Sequence, residues 1–282
     1  MGMKMLLSGL ALVGLPLAAQ AQTQAAAPPA KVSLTRMDCG VMKAPRDLGG
    51  FSDTRAYPFP QFSKLLVSSC YLIRHNDELM VWDTGYPLAF AEGPDAPIAI
   101  KSSLADQLRQ LDIDPATVGR VGISHYHGDH IGQAQIFGTA TLLIGQGDWN
   151  VLTSKPPAQG ATPALVERWI SGGGKVEALA KDKDVFGDGT VTIIDTPGHT
   201  PGHKSLLVKL AKKGHVLLTG DLAHFSENYE TNGVPLFNFN RADTLASLDR
   251  FKKLAANLKA IVIIQHEPGD VAKLPAFPAA AE

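Results

Sequence analysis

The residues best suited to chemistry form one short cluster, Ser124-His125-Tyr126-His127-Gly128-Asp129-His130, directly after an apolar, strand-like segment. Neutral imidazole and carboxylate are the ligands that zinc and neighbouring divalent metals prefer. Alternate side chains of an extended segment point to the same side, so His125 and His127 are predicted to bind one ion together. The turn that follows would direct Asp129 and His130 towards a second ion. A solvated, histidine-rich loop without metal is the alternative interpretation.

Three more candidate ligands, His199, Asp221 and His266, each follow the end of an apolar strand-like segment. A buried site for two ions must draw on several elements, and three such positions are improbable by coincidence. Together with the cluster they predict a metal centre built from residues at the ends of several strands.

Three other histidines are predicted to lie outside that centre. His75 and His215 fall at expected hairpin turns, where a solvated side chain is the simplest expectation. His203 repeats the Pro-Gly-His pattern of His199, and we expect it to hydrogen-bond within its own turn.

Composition excludes several classes of partner. The 282 residues carry 26 Lys+Arg against 27 Asp+Glu, which gives a net charge of −1, and 45% of them are hydrophobic. Nucleic acids and anionic membrane surfaces both require a concentrated basic face, so neither is predicted as a partner. The predicted partner is a small-molecule substrate. A second copy of the chain, in a homodimer, is the candidate protein partner.

The N-terminus has the pattern of a secretory signal peptide over residues 1–21: Lys4, an apolar stretch, and Ala19-Gln20-Ala21 before the cleavage point. Residues 22–30 are predicted to be a disordered lead-in, and residues 31–282 a single domain. These features predict a periplasmic or secreted protein. A cytoplasmic protein with an apolar N-terminal arm is the alternative.

Strand-like segments come first and last in the domain, with helices between them. Two packed sheets with helices outside are therefore expected. The predicted strands are 31–37, 65–74, 78–82, 120–124, 141–144, 191–195, 204–210, 215–219 and 261–265, and the predicted helices 103–111, 149–171 (broken by prolines) and 241–258. Cys39 and Cys70 could pair in an oxidising compartment, but two buried thiols are the favoured expectation.

This combination resembles the metallo-β-lactamase-fold hydrolases, on the evidence of Val81-Trp82-Asp83-Thr84-Gly85, the cluster 125–130, Thr196-Pro197-Gly198-His199, Gly220-Asp221 and His266 in the family's order. The resemblance implies an α+β fold, an αββα four-layer sandwich with a site for two metals at one edge of the sheets. It assigns His125, His127 and His199 to one ion, and Asp129, His130 and His266 to the other. Asp221 would bridge them, and Asp83 would orient the ligand histidines.

Within that family the chain is most similar to the N-acyl-homoserine lactonases, through Ser69–Arg74, Trp82-Asp83-Thr84-Gly85 and the doubled Pro-Gly-His ending at His199 and His203. The segments Asp221–Glu230 and Arg241–Pro268 resemble the exported branch of that group. The resemblance implies lactone ring opening, with a hydroxide held between two divalent ions, zinc by default, as the nucleophile. Asp129 would pass a proton to the leaving alkoxide. The lactonases' Tyr close after the bridging Asp is absent here, and His224 and Tyr229 are the candidates to replace it.

Other readings stay open at this stage. An exported hydrolase of organophosphate or aryl esters, or of β-lactams, would use the same ligands, although a bridging Asp221 argues against the β-lactamases. A zinc-stabilised scaffold without turnover is a hypothesis from another class. Four aromatic residues are candidates either for the substrate pocket or for the core: Trp149, Phe225, Phe237 and Phe239.

Overall fold

The computed structural model describes residues 1–2, 29–54, 62–158 and 160–282. The predicted signal peptide at 1–21 and lead-in at 22–30 lie outside the described residues, apart from residues 1–2 and 29–30. In the described part of the chain, no helix combines the length and apolar character needed to cross a membrane.

Fourteen strands and six α-helices build the described domain. The strands are β1 (Val32–Met42), β2 (Arg46–Asp47), β3 (Ser63–Lys64), β4 (Val67–His75), β5 (Glu78–Trp82), β6 (Ile98–Ala99), β7 (Arg120–Gly122), β8 (Thr141–Gly145), β9 (Val176–Leu179), β10 (Lys183–Asp184), β11 (Val191–Asp195), β12 (Lys204–Leu210), β13 (Gly214–Leu218) and β14 (Ile261–Ile263). The helices are α1 (Leu104–Gln110), α2 (Gly128–Ile131), α3 (Gln146–Thr153), α4 (Glu167–Ile170), α5 (Ser226–Thr231) and α6 (Arg241–Leu258).

The strands form two mixed sheets and a short two-stranded one. The first sheet has the order β6-β1-β4-β5-β7-β8-β9, and the second β10-β11-β12-β13-β14. In the first, β5, β7 and β8 run parallel. In the second, β11 and β13 both run antiparallel to the β12 between them, and β14 runs parallel to β13. Consequently β5 and β7 end at one edge of their sheet, and β11, β13 and β14 end together at one edge of theirs.

Alternating side chains divide the core into three layers. On β4, Leu72 packs towards the helices α1 to α4, whereas Tyr71 faces the second sheet. On β13, Val216 faces the first sheet, and Leu217 packs on α6 beside Phe251. This period of two is what a strand buried on both faces requires. Helices therefore cover the outer face of each sheet, and the predicted αββα four-layer sandwich of the α+β class is confirmed.

Most predicted elements are present, with two substantial differences. The first strand runs on to Met42, because its pairing with β4 continues beyond a bulge between Asp38 and Gly40. The predicted broken helix over 149–171 is instead two separate short helices, α3 and α4, with a 3₁₀ turn at Pro163–Val166 between them. Proline cannot supply the backbone donor that a continuous helix needs.

Two predictions about side chains were wrong. Cys39 and Cys70 are not free thiols but form a disulfide between β1 and β4, whose pairing brings them together. His75 is not solvated: it is buried, stacks on Phe186 and contacts the Asp188 carboxylate at 2.7 Å. His215 lies on β13 opposite Lys209, where it is half-buried.

Candidate metal centre

The carboxyl ends of five strands bring together the predicted ligands and Asp83, which was predicted to orient them. Asp83 follows β5, His125 follows β7, and His199, Asp221 and His266 follow β11, β13 and β14. The remaining cluster residues lie at the start of α2, with His127 directly before its first residue. Because these strands end at facing edges of the two packed sheets, side chains far apart in sequence converge on one place.

The first ligand group consists of three imidazoles and one carboxylate. The His127 Nδ1 lies 2.9 Å from the His125 Nε2 and 3.0 Å from the His199 Nε2. The Asp221 Oδ2 is 3.7 Å from the first of these Nε2 atoms and 3.5 Å from the second. These four ligand atoms lie within 4.8 Å of one another, as donors to a single ion would.

The second group consists of Asp129, His130 and His266, whose ligand atoms also lie within 4.8 Å of one another. The Asp129 Oδ2 is 3.8 Å from the His130 Nε2 and 3.6 Å from the His266 Nε2. The other oxygen of Asp221, Oδ1, faces this group at 3.2 Å from His130 and 3.0 Å from His266. Asp221 thus offers one oxygen to each group.

Hydrogen bonds on the far side of the rings fix which nitrogen faces the centre. The Nδ1 of His199 contacts the Asn238 Oδ1 at 2.9 Å, and that of His266 donates to the Val67 carbonyl at 2.7 Å. The His130 Nδ1 donates to the Asp83 Oδ2 at 2.9 Å. With Nδ1 protonated, each Nε2 carries the lone pair that a metal requires. The predicted role of Asp83 thus has a direct structural counterpart.

Burial and neighbouring charges divide the histidines into two electrostatic classes. Burial lowers the pKa values of His125, His127 and His199 below their usual range, which keeps these rings neutral. Burial would also lower the pKa of His130, but the carboxylates of Asp221 and Asp83 raise it well above the usual value. Neutral imidazole is the form that binds metal, so the first group is ready to bind a cation. At the second group, the carboxylates around His130 contribute negative charge that a bound proton or cation would balance.

Two atoms of the centre are buried without a hydrogen-bond partner among the described residues: the His130 Nε2 and the Asp221 Oδ1. Buried polar atoms normally find a partner, since leaving them unpaired costs free energy. Both atoms face the second group. A divalent cation would satisfy both, and the imidazole and carboxylate donors suit such an ion. The residues present therefore fit two divalent metal ions.

A cavity of about 180 Å³ opens onto this centre. His127, Asp129, His199, Asp221, His224 and His266 form its polar floor. Five further lining residues were not predicted, because they carry no local signal in the sequence: Met42, Arg46, Phe51, Leu66 and Tyr86. The Arg46 guanidinium lies 5.4 Å from the Phe51 ring centre. The cavity thus combines a metal-binding floor with largely apolar walls and one positive charge.

The two candidates for the missing tyrosine are placed differently. His224 lines the cavity, with its Nε2 3.1 Å from the Asp221 Oδ2 and its ring packed edge-on against Phe51 at 4.9 Å. Tyr229 is not among the residues lining that cavity. Its ring instead packs near Phe251, with the Lys252 ammonium 4.7 Å from its centre. This position corrects the expectation that Tyr229 could assist catalysis.

Of the four aromatic candidates, only Phe237 lines the cavity. Phe225 is fully buried in a small cluster with Phe51. Trp149 packs against the core under the first helix layer, and Phe239 is 66% exposed. Core packing or exposure therefore accounts for the other three.

Comparisons with known proteins agree with this arrangement. A sequence profile of the metallo-beta-lactamase superfamily matches residues 64–266. The N-acyl homoserine lactonase AttM of Rhizobium radiobacter is 31% identical over 225 residues, covering 70% of this chain and 81% of the relative.

Solved structures share the fold. A quorum-quenching N-acyl homoserine lactone lactonase superimposes with a TM-score of 0.76 at 23% identity, covering 90% of this chain and 99% of the other. AidC, a dizinc quorum-quenching lactonase in complex with the product N-hexanoyl-L-homoserine, gives 0.63 at 18% identity, covering 90% and 91%. The extent of these matches, together with the ligand geometry, shows that the chain belongs to the metallo-beta-lactamase superfamily.

Proposed function

We propose that this chain is a metal-dependent hydrolase that opens the ring of N-acyl-homoserine lactones or related lactones. The observation that carries the proposal is the position of Asp221, which directs one carboxylate oxygen to each of two adjacent ligand groups. The similarity to lactonases such as AttM supports the substrate class. In this proposal His125, His127 and His199 would hold one ion, Asp129, His130 and His266 would hold the other, and Asp221 would contribute an oxygen to each.

When bound at these residues, two divalent ions would supply a nucleophile by lowering the pKa of water and would polarise a carbonyl oxygen. The chain's own residues handle the proton. The Asp129 side chain is 24% exposed and lines the cavity, whereas that of Asp221 is only 5% exposed. Asp129 is therefore the carboxylate that would take the proton released by the attacking water and pass it to the alkoxide formed when the lactone C–O bond breaks.

His224 and the cavity walls orient the substrate. The His224 ring lies between the apolar side of the cavity, formed by Phe51 and Phe237, and the Asp221 carboxylate. From there its imidazole can donate a hydrogen bond to the carbonyl oxygen on which negative charge develops. The apolar walls exclude water and suit an uncharged, partly apolar ester.

Zinc is the proposed metal. Imidazole and carboxylate ligands suit it, and the related structure of AidC is described as a dizinc enzyme. Iron, cobalt and manganese accept the same donors. Metal analysis of protein purified without added metal tests this part: about two zinc ions per chain is the expected result, and another metal in their place would contradict it.

We further propose that the chain is exported and that residues 1–21 are its signal peptide. The Cys39–Cys70 disulfide supports this, because structural disulfides persist mainly in oxidising compartments. Mass spectrometry of the protein from the periplasmic fraction should show a chain beginning near Gln22, and a cytoplasmic chain of full length would contradict the proposal. A homodimer also stays a prediction, which sedimentation would test.

The substrate assignment is tested by following proton release from short- and long-chain acyl-homoserine lactones, with an organophosphate triester, an aryl ester and a β-lactam as parallel substrates. Lactone turnover that chelation abolishes is the expected result. Turnover of one of the parallel substrates, without turnover of a lactone, would refute the lactone as the substrate but leave the assignment as a hydrolase in place. An absence of any turnover in protein carrying two ions would favour the scaffold hypothesis.

A further inference from the structure

A buried carboxylate outside both ligand groups joins the two loops that carry the first group. Asp148 lies in the first turn of α3, directly after β8, and its side chain is fully buried. Burying a carboxylate is costly unless hydrogen bonds compensate it. Its position therefore requires an explanation that the proposed reaction alone does not provide.

Each of its hydrogen bonds leads to a ligand-bearing loop. The Asp148 Oδ2 accepts from the backbone N–H of Tyr126 at 3.1 Å and from the Thr200 hydroxyl at 2.8 Å. The Oδ1 accepts from the backbone N–H of Gly202 at 2.6 Å. Tyr126 stands between His125 and His127, and Thr200 follows His199 directly. One side chain thus connects the loop after β7, in the first sheet, to the loop between β11 and β12, in the second.

The backbones around Asp148 approach so closely that side chains are excluded. A Cβ on Gly202 would lie 2.3 Å from the Asp148 nitrogen, and one on Gly145 would lie 1.7 Å from the Gly202 carbonyl oxygen. A Cβ on Gly147 would meet the Pro201 oxygen at 2.6 Å. The start of α3 therefore rests directly on the loop that carries His199, and its position leaves little room for adjustment.

The hydrogen-bond donors around Asp148 favour its carboxylate form, whereas burial disfavours it. Burial raises the pKa of Asp148 to about 7, while the hydrogen bonds from Thr200, Gly202 and Tyr126 oppose the rise because they favour the carboxylate. Three donors from two loops are matched to two acceptor oxygens. A group with a single acceptor oxygen would leave the Gly202 N–H facing a donor if that oxygen took the Oδ2 position, and would leave the Tyr126 N–H and the Thr200 hydroxyl without their acceptor if it took the Oδ1 position.

We infer that Asp148 is a positioning residue that sets the spacing between His125 and His127 on one loop and His199 on the other, and thereby the affinity of the first group for a divalent cation. The inference rests on the ligand assignment of the proposed function. It does not depend on which substrate is hydrolysed. Residues beyond the ligands commonly change metal affinity 10- to 100-fold.

Asp148→Asn is the principal test, because Asn has the same shape but only one acceptor atom. Metal-free protein is titrated with Co²⁺, and the number of ions and their affinities are measured by calorimetry and visible absorption. We expect one of the two ions to bind about 10-fold more weakly or worse. In a His199→Ala background, whose first group has lost one of its ligands, Asp148→Asn should leave the affinity of the ion at the second group unchanged.

Two further variants separate positioning from folding. Leu152→Ala is the matched control: it empties a fully buried position on the same helix that packs into the core under the first sheet. It should lower the melting temperature of metal-free protein and leave both Co²⁺ affinities unchanged. Thr200→Val removes a single hydrogen bond at a buried position, and we expect a smaller affinity loss at the same ion.

The outcomes divide cleanly. A selective loss of one ion in Asp148→Asn and Thr200→Val, absent from Leu152→Ala, supports the positioning role. Unchanged affinities in Asp148→Asn, or the same losses in Leu152→Ala, would overturn it. If wild-type protein bound no Co²⁺, the ligand assignment would fail and the inference with it. If two ions bound but no lactone were turned over, only the proposed substrate would be refuted, and the ligand assignment would stand.

Discussion

Replacing Asp83 by Asn should weaken the second ion while leaving the fold in place. The Asp83 carboxylate is fully buried and accepts three hydrogen bonds: from the Ser124 N–H at 2.7 Å, the Ser124 hydroxyl at 2.9 Å and the His130 Nδ1 at 2.9 Å. Asn offers one acceptor oxygen. If the Asn oxygen faces His130, the amide N–H₂ group points at the Ser124 N–H, and two donors face each other. If the oxygen instead faces the Ser124 N–H, the amide N–H₂ group points at the His130 Nδ1. The Nδ1 must then accept, so the ring proton moves to Nε2, the nitrogen that faces the centre.

The magnitude follows from either orientation. An unpaired buried donor costs about 1–3 kcal/mol. Loss of a partner behind a ligand histidine typically lowers metal affinity 10- to 100-fold, which corresponds to about 1.4–2.8 kcal/mol. We therefore expect Asp83→Asn to bind one of its two ions about 10- to 100-fold more weakly, as measured by competition with a chelator.

The matched control is Asp188→Asn. Asp188 contacts His75 at 2.7 Å, a His–Asp pair like that of Asp83 and His130, but it lies at the turn before β11, whereas the metal centre lies at the other end of that strand. This variant should keep both metal affinities. Equal affinities in Asp83→Asn and wild type would refute the claim that Asp83 orients a ligand.

Three further predictions concern stability and turnover. Burial lowers the pKa of His203 from 6.5 to about 3, so below pH 6.5 the unfolded chain binds a proton that the folded chain does not. The stability advantage of metal-free wild type over His203→Gln should therefore shrink by up to about 1.4 kcal/mol per pH unit as pH falls from 6.5 towards about 4, and an advantage that stays constant in urea unfolding would contradict this. Replacing both Cys39 and Cys70 by Ala opens a link across 31 residues and should lower the free energy of unfolding by about 3–4 kcal/mol; a loss below about 1 kcal/mol would count against a structural disulfide. Tyr86 lines the cavity, and burial, with the nearby charge of Asp129, raises its pKa, so its hydroxyl remains a donor. Tyr86→Phe should lower kcat/KM about 10-fold at unchanged metal content. An unchanged kcat/KM would show that the Tyr86 hydroxyl takes no part in the reaction.

The convergence of the candidate ligands could be predicted from sequence because their types and positions are local signals. His125 and His199 each come shortly after an apolar strand, a pattern that is visible in the sequence around each residue. The elements that carry them were recognisable for the same reason. Hydrophobic alternation and the spacing on α6 are visible in single segments.

The supporting residues could not be predicted, because their roles depend on neighbours that are distant in sequence. In the sequence, Asp148 is an ordinary acidic residue in a short segment, and nothing nearby indicates its role. Only the fold brings it beside Tyr126 and Gly202. Tyr229 and His224 are five residues apart, but the turn into α5 directs one to α6 and leaves the other in the cavity. The cysteines were misjudged for the same reason, since only the pairing of β1 with β4 brings them together.

Ring opening of an acyl-homoserine lactone by Asp221→Asn, compared with wild type at measured metal content, tests the central claim most directly. Asn keeps one oxygen for one ligand group and turns an amide N–H₂ towards the other. We therefore predict one ion bound instead of two, and a loss of turnover of at least about 100-fold. A variant that kept two ions and wild-type turnover would show that Asp221 does not bridge the two groups, and would contradict the account.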